Sequence, residues 1–234
     1  MPRPTRPLTA AFTDYIDHIG DRTAMYEAVA AHTGAQRVLY PGSYLDLAPS
    51  FVWPDVTYLD SDPRARSAFA DPALAHQLAT RHKSFPEDPR ITFVPGDYTH
   101  TLEALPADGW DLVISLYAGP VSEHATRCLR PGGRLLVNNS HADAGLAALD
   151  PAYRLTAALH SDGRRYRLVA HHLDRYLQPK RPPHPTREEL HQRGRGIAYT
   201  HPATAYLFQY RPTTYADPPR NPWRVDRAAD GSRQ

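Results

Sequence analysis

The stretch Arg37 to Asp62, RVLYPGSYLDLAPSFVWPDVTYLDSD, decides the fold. Val38, Leu39 and Tyr40 make an apolar, β-prone run that stops at Pro41-Gly42, and a glycine lets a backbone turn sharply or lie against a ligand. A second run, Val56 to Leu59, closes on Asp60 and Asp62. The pattern reads as strand, glycine turn, helix and second strand. A carboxylate about 20 residues past such a glycine can accept from ribose hydroxyls, and Asp60 stands near that separation.

Downstream the pattern repeats. Ile91 to Val94 is apolar and β-branched and stops at Pro95-Gly96-Asp97; Leu112 to Leu116 is a fourth run. From Pro120, the residues Val121, Ala125, Cys128 and Leu129 fall on one helical stripe, which Pro131-Gly132-Gly133 breaks before a fifth strand, Leu135 to Val137. Between the second and third strands, Pro63 to Ala70 reads as a short helix, and Asp71-Pro72 opens another that reaches about His82 with Leu74 and Leu78 inward. Strands alternating with helices predict an α/β fold, a doubly wound and mostly parallel sheet covered on both faces.

Ligands of such sheets bind outside the carboxyl ends of the strands. That rule gathers Gly42, Ser43 and Tyr44, then Asp60 and Asp62, Asp97 and Tyr98, Tyr117, and Asn138 to His141. The helix expected after Gly42 would point its N-terminus at any negative charge, and an acid would accept from ribose, which together describe an adenosine-type site. Plainer roles stay open for the same residues. Asp60, Asp62 and Asp97 could each cap a helix, Tyr117 and His141 could be ordinary loop residues, and the tyrosines could fill the core and bond at sheet ends.

Upstream, residues 1 to 8 are rich in Pro and Arg and are expected to be disordered, after which Thr9 to Ile19 and Asp21 to His32 carry helical spacing with Gly34 as a stop. At the other end, residues 213 to 234 carry Pro218, Pro219 and Pro222 and read as a nonregular tail that Trp223 could anchor. One domain over 9 to 212 remains. Within it, 171 to 203 is long and basic, a candidate lid or insertion; Thr186 to Arg193 reads as a capped helix within it. Its histidines, His171, His172, His184, His191 and His201, show no HExxH or paired spacing, so no metal is expected.

Composition sets the outer bounds. The chain has 234 residues, 41% of them hydrophobic, enough for one domain with a sizeable core. Lys and Arg number 27 against 25 acidic residues, which gives no strong electrostatic reason to expect nucleic acid or membrane. Cys128 is the single cysteine, which excludes an internal disulfide and fits a reducing compartment. No apolar run approaches the roughly 18 residues of a membrane span, and the start lacks a signal-peptide core; the expectation is a cytoplasmic protein.

The order of these pieces resembles the class I S-adenosylmethionine-dependent methyltransferases over roughly residues 21 to 211. RVLYPGSY stands where that family has its glycine-rich motif, VTYLDSD its acidic second-strand end, ITFVPGD its third strand, WDLVISLY its fourth, and LRPGGRLLV the turn and fifth strand. The resemblance implies a Rossmann-like methyltransferase fold of seven strands with an antiparallel last strand, for which Ala205 to Tyr210 is the candidate, preceded in sequence by Tyr153 to Leu159. It also implies S-adenosylmethionine as cofactor, with Gly42 carried over directly, Asp60 for the ribose, Asp97 for the adenine edge, and Ser43, Tyr44 and Tyr98 as loop positions. The glycine motif departs from the family pattern: Tyr40 stands near the acidic position, only Gly42 remains of the glycines, and Tyr44 and Asp46 occupy places where side chains crowd a methionine group.

Two classes of function follow. In the first, a methyltransferase acts on an oxygen or nitrogen of a small molecule, with His141 as a base and Tyr117 beside it. Ser115-Leu116-Tyr117-Ala118-Gly119-Pro120 lacks the Asn-Pro-Pro-Tyr type of motif of base-methylating members, so nucleic acid is not the expected substrate. In the second, the fold is kept as a binding module or partner subunit without transfer chemistry. A nicotinamide dehydrogenase ranks third, because GxGxxG is absent. Nothing in the sequence fixes an oligomeric state.

Overall fold

A computed structural model of the chain describes residues 8–163 and 165–212. Two helices, α1 (Leu8–Ile19) and α2 (Thr23–Thr33), lead into β1 (Arg37–Pro41). There follow α3 (Pro49–Val52), β2 (Asp55–Asp60), α4 (Pro63–Ala68), α5 (Pro72–His82), β3 (Arg90–Pro95), α6 (Tyr98–Ala104) and β4 (Trp110–Ser115). The second half runs α7 (Ser122–Ala125), β5 (Leu129–Val137), α8 (Asp143–Leu149), β6 (Tyr153–Ser161), β7 (Tyr166–Val169), a single 3-10 turn at Leu173–Arg175, α9 (Arg187–Arg193) and β8 (Ala205–Tyr210).

One eight-stranded sheet results, in the order β3-β2-β1-β4-β5-β8-β6-β7. Strands β1 to β5 pair in parallel, and β8 enters antiparallel between β5 and β6. The order reverses between β1 and β4, the switch point at which doubly wound sheets bind ligands. This is the Rossmann-like methyltransferase fold, with one strand beyond the expected seven: the hairpin partner β7 pairs antiparallel with the outer side of β6.

Alternation along the strands assigns the core. Val38 and Tyr40, Val56 and Tyr58, and Leu112 and Ile114 pack on one face, under α1, α2 and α5. Their neighbours Leu39, Leu59 and Val113 pack on the other, under α6, α7 and α8. Capping follows the sequence where the sequence is explicit. Asp71 accepts from the amides of Ala73 and Leu74 to start α5, Gly34 ends α2 in the left-handed region at φ 63°, and Thr186 with Glu189 forms a full capping box on α9.

Two local expectations are corrected. The helix after Gly42 does not begin at the glycine: Gly42 (φ 67°) and Tyr44 (φ 48°) both have positive φ, which a right-handed helix cannot use, so residues 42 to 48 form a loop and α3 is one short turn started by Pro49. The stripe from Val121 to Leu129 is likewise not one helix. Only Ser122–Ala125 is helical; Leu129 already pairs with Trp110, and the Pro-Gly-Gly run lies inside β5, where the register shifts between Trp110 and Leu112. The first seven residues and the tail from 213, with Trp223, lie outside the described residues.

Candidate functional site

The glycine turn is built against its neighbours. The Gly42 amide donates to the Leu59 carbonyl at 2.7 Å, and a Cβ on Gly42 would overlap the Ala118 side chain in the loop after β4. The space that excludes a side chain at Gly42 is therefore filled by protein. Ser43 is buried and its Oγ has no hydrogen-bond partner among the described residues. Tyr44 donates its amide to Asp60 Oδ2 at 2.6 Å, and the Asp62 amide takes Oδ1 at 2.7 Å, so Asp60 ties the glycine loop to the end of β2. A carboxylate offers about four acceptor directions, of which these two amides take two. Asp62 is the N-cap of α4, as its plainer reading had it.

Beside that loop lies a cluster only half visible in the sequence. Asp46 is buried, and its Oδ2 accepts from Tyr26 Oη at 2.7 Å, Arg22 Nη1 at 3.3 Å and Tyr40 Oη at 3.4 Å. Arg22, just ahead of α2, also donates to Tyr15 Oη at 3.1 Å, and its guanidinium lies 5.1 Å from the centre of the Tyr117 ring. Burial raises the Asp46 carboxyl above its usual range, against the opposing pull of Arg22. The same burial, reinforced by Asp46, holds the Tyr26 and Tyr40 hydroxyls protonated. Tyr40 and Asp46 stand out in the sequence because they replace expected residues, whereas nothing in the sequence marks Arg22, which sits outside any motif.

The loops after β4 and β5 are joined by Asn138. Its buried Oδ1 accepts from the amides of Tyr117 (3.4 Å) and Ser140 (3.3 Å) and from Ser140 Oγ (2.9 Å). Two amide donors fix which end of the Asn138 side chain is oxygen. With its proton committed to Asn138, Ser140 Oγ can only accept from His141 Nδ1 at 2.9 Å, which leaves Nε2 of the neutral ring as its open acceptor. Tyr117 is 61% exposed at φ 63°, so its ring faces solvent over Arg22.

Asp97 is exposed and caps α6 through the Thr99 amide and hydroxyl at 2.9 and 2.7 Å. The Tyr98 ring lies edge-on to His124, and its hydroxyl fills the space where Gly119 has no side chain. The structure thus brings Gly42, Ser43, Tyr44 and Asp60 into one bonded unit, and Tyr117 and His141 into a second. Arg22, under Tyr117, connects the two.

A second buried carboxylate lies behind the β4 and β5 loops. Asp143 accepts from Ser115 Oγ at 2.5 Å, Ser122 Oγ at 2.5 Å and the Ser122 amide at 3.1 Å. Burial pushes its carboxyl up to about 6, with Glu123 adding to the shift and the serines opposing it. No motif marks it, because its partners lie 28 and 21 residues away.

Residues 171 to 203 lie across this end of the molecule. Asn139 Nδ2 donates to the Ile197 carbonyl at 2.8 Å, Gly196 donates to the Ser140 carbonyl at 3.3 Å, and Leu190 packs on Ala142 and Leu146. Arg187 and His191 both reach Glu123. Among the described residues, no group of three or more His, Cys, Asp or Glu is placed to hold a metal ion, and no helix is long and apolar enough to cross a membrane.

No protein-family model matches the chain, and no curated protein is similar to it. Solved structures are similar in fold. A methyltransferase from Geobacter sulfurreducens matches with 14% identity and a TM-score of 0.46 over 90% of this chain and 91% of that one. The O-methyltransferase TomG from Streptomyces achromogenes, involved in tomaymycin synthesis and solved in complex with S-adenosylmethionine, matches with 16% identity and a TM-score of 0.45 over 72% and 88%. A Corynebacterium glutamicum protein matches with 16% identity and a TM-score of 0.45 over 91% and 94%. The fold assignment itself rests on the strand order and directions.

Proposed function

We propose that the crevice at the β1/β4 switch point takes S-adenosylmethionine and that the protein transfers its methyl group to an oxygen or nitrogen of a small molecule. The observation that carries this reading is Asp60, at the end of β2, holding the glycine loop through two amides while two acceptor directions remain for a ribose. Ser43 adds a buried, unpartnered hydroxyl on the same loop, and Asp97 and Tyr98 stand at the next strand end for the adenine edge. When bound, the cofactor supplies a methyl group on a sulfonium that an in-line nucleophile can take. The protein's part is to position the acceptor over Tyr117, and His141 Nε2 accepts the proton of an acceptor hydroxyl. The absence of an Asn-Pro-Pro-Tyr type of motif after β4 favours a small acceptor over a nucleic-acid base.

One observation favours a second reading, a binding module without transfer. At the amino-acid end of such a ligand the chain presents its own charge pair, Arg22 and Asp46, already satisfied by each other and by two tyrosines. Calorimetric titration separates the readings. The transferase reading expects S-adenosylhomocysteine to bind at least tenfold more tightly than adenosine, and NAD not at all. Equal affinities for adenosine and S-adenosylhomocysteine would mean that the amino-acid end stays closed, and the binding-module reading would replace it.

A further inference from the structure

At the far edge of the sheet, the β6–β7 hairpin and the chain after it border an open cavity of about 360 Å³ whose basic lining groups are His160, Arg167, His171, Arg175 and His201. It is separate from the switch-point crevice, because β5 and β8 stand between β4 and β6. Among the described residues no acidic side chain lines it: Asp162, at the hairpin tip, and Asp174, in the 3-10 turn, are close in sequence but are not among its walls.

Several arginines of the protein are paired with a carboxylate, and among the described residues those of this surface are not. Elsewhere Arg37 and Arg90 share Asp55, Arg64 holds Asp62, and Arg130 holds Asp111. Arg167 and Arg175 have no carboxylate partner among the described residues. Arg167 also stands directly opposite His160 in the hairpin register, a like-charged pairing whenever the ring is protonated. Burial first, and then the charges of Arg167 and Arg175, hold His160 below its ordinary value, so both guanidiniums act on that ring. The ring is kept in place by Tyr176, whose buried hydroxyl lies 2.8 Å from Nε2. Val169 and Pro202 supply an apolar wall next to the charges.

We propose that this cavity is a binding site for an oxyanion, a phosphate or carboxylate group carried by a small molecule. Two guanidinium forks can each bond a pair of oxygens, the histidines add donors as they protonate, and the apolar wall takes the body of the ligand. The site is independent of what the crevice binds.

The test is an NMR titration of the full chain at fixed pH and constant ionic strength, following the ring resonances of His160, His171 and His201. Inorganic phosphate and acetate are the probes, with chloride as the balancing salt. A saturable shift of these rings is expected, and Arg167→Gln with Arg175→Gln should weaken it by about tenfold or more while the thermal midpoint holds, since both side chains are exposed. Tighter phosphate than acetate assigns a phosphate-bearing ligand, and the reverse a carboxylate. Ring shifts that follow chloride alone, or a double variant that binds phosphate like the wild type, would overturn the proposal.

Discussion

The two buried carboxylates at the sheet's carboxyl end solve the same electrostatic problem differently. Asp46, on the β1 side, has a cation, Arg22, and the hydroxyls of Tyr26 and Tyr40. Asp143, on the β5 side, has only serine hydroxyls and one amide. Desolvation raises both, yet only the first is countered by a full charge. The β1 side is therefore a closed ion pair that fails when one partner is removed, and the β5 side is a titrating joint between β4, α7 and α8.

Removing the cation should have the largest effect. Arg22→Ala leaves a buried carboxylate without its counter-charge, for which about 3 to 5 kcal/mol is expected, read as a lowered urea midpoint at pH 7. The loss should shrink as the pH falls and Asp46 takes a proton. Replacing both Arg22 and Asp46 by Leu should recover most of the stability; a double variant no better than Arg22→Ala would mean the pair is not the source of the loss.

Next is the pH dependence of Asp143. Its folded value, about 6, lies above the ordinary aspartate value of about 3.9, so the folded state holds the proton more tightly. The stability this contributes is fully present below about pH 4 and is lost as the pH rises through 6. Asp143→Asn cannot titrate, so its stability relative to the wild type should rise by about 2 kcal/mol between pH 4 and 7 in parallel unfolding curves. Parallel pH profiles for the two proteins would refute the assignment.

The smallest effect belongs to the aromatic cover. Tyr117→Ala removes an exposed cation–π contact and should cost less than about 1 kcal/mol of stability. If Tyr117 orients the acceptor, the same change should lower methyl transfer while leaving S-adenosylhomocysteine affinity within about twofold. A large loss of that affinity would make Tyr117 part of the cofactor pocket instead.

The framework was legible because strands buried on both faces must be apolar, and their ends are marked by glycine and acid: β1 to β4 and β8 stand close to where their residues predicted. What escaped depends on contacts far apart in sequence. The loop after Gly42 looks like a helix start until Tyr44 is seen in the left-handed region, held by Asp60. The Arg22–Asp46 pair spans α2, β1 and the glycine loop, and Asp143 meets its serines only after β4, α7 and α8 have packed. The plainer reading of the tyrosines, as groups that fill and bond at sheet ends, describes Tyr26, Tyr40 and Tyr58. β7 escaped because its four residues lie among charges and carry a weak alternation.

The central claim is that Asp60 at the β2 end reads a ribose, and Asp60→Ala measured by calorimetry with S-adenosylhomocysteine tests it most directly. Losing a charge-assisted acceptor worth about 1.5 to 3 kcal/mol should weaken binding roughly tenfold to a hundredfold, while the broken bonds to the Tyr44 and Asp62 amides cost about 1 to 2 kcal/mol and leave the protein folded. Wild type and variant that are both folded and share the same affinity, or the same lack of it, would contradict the account.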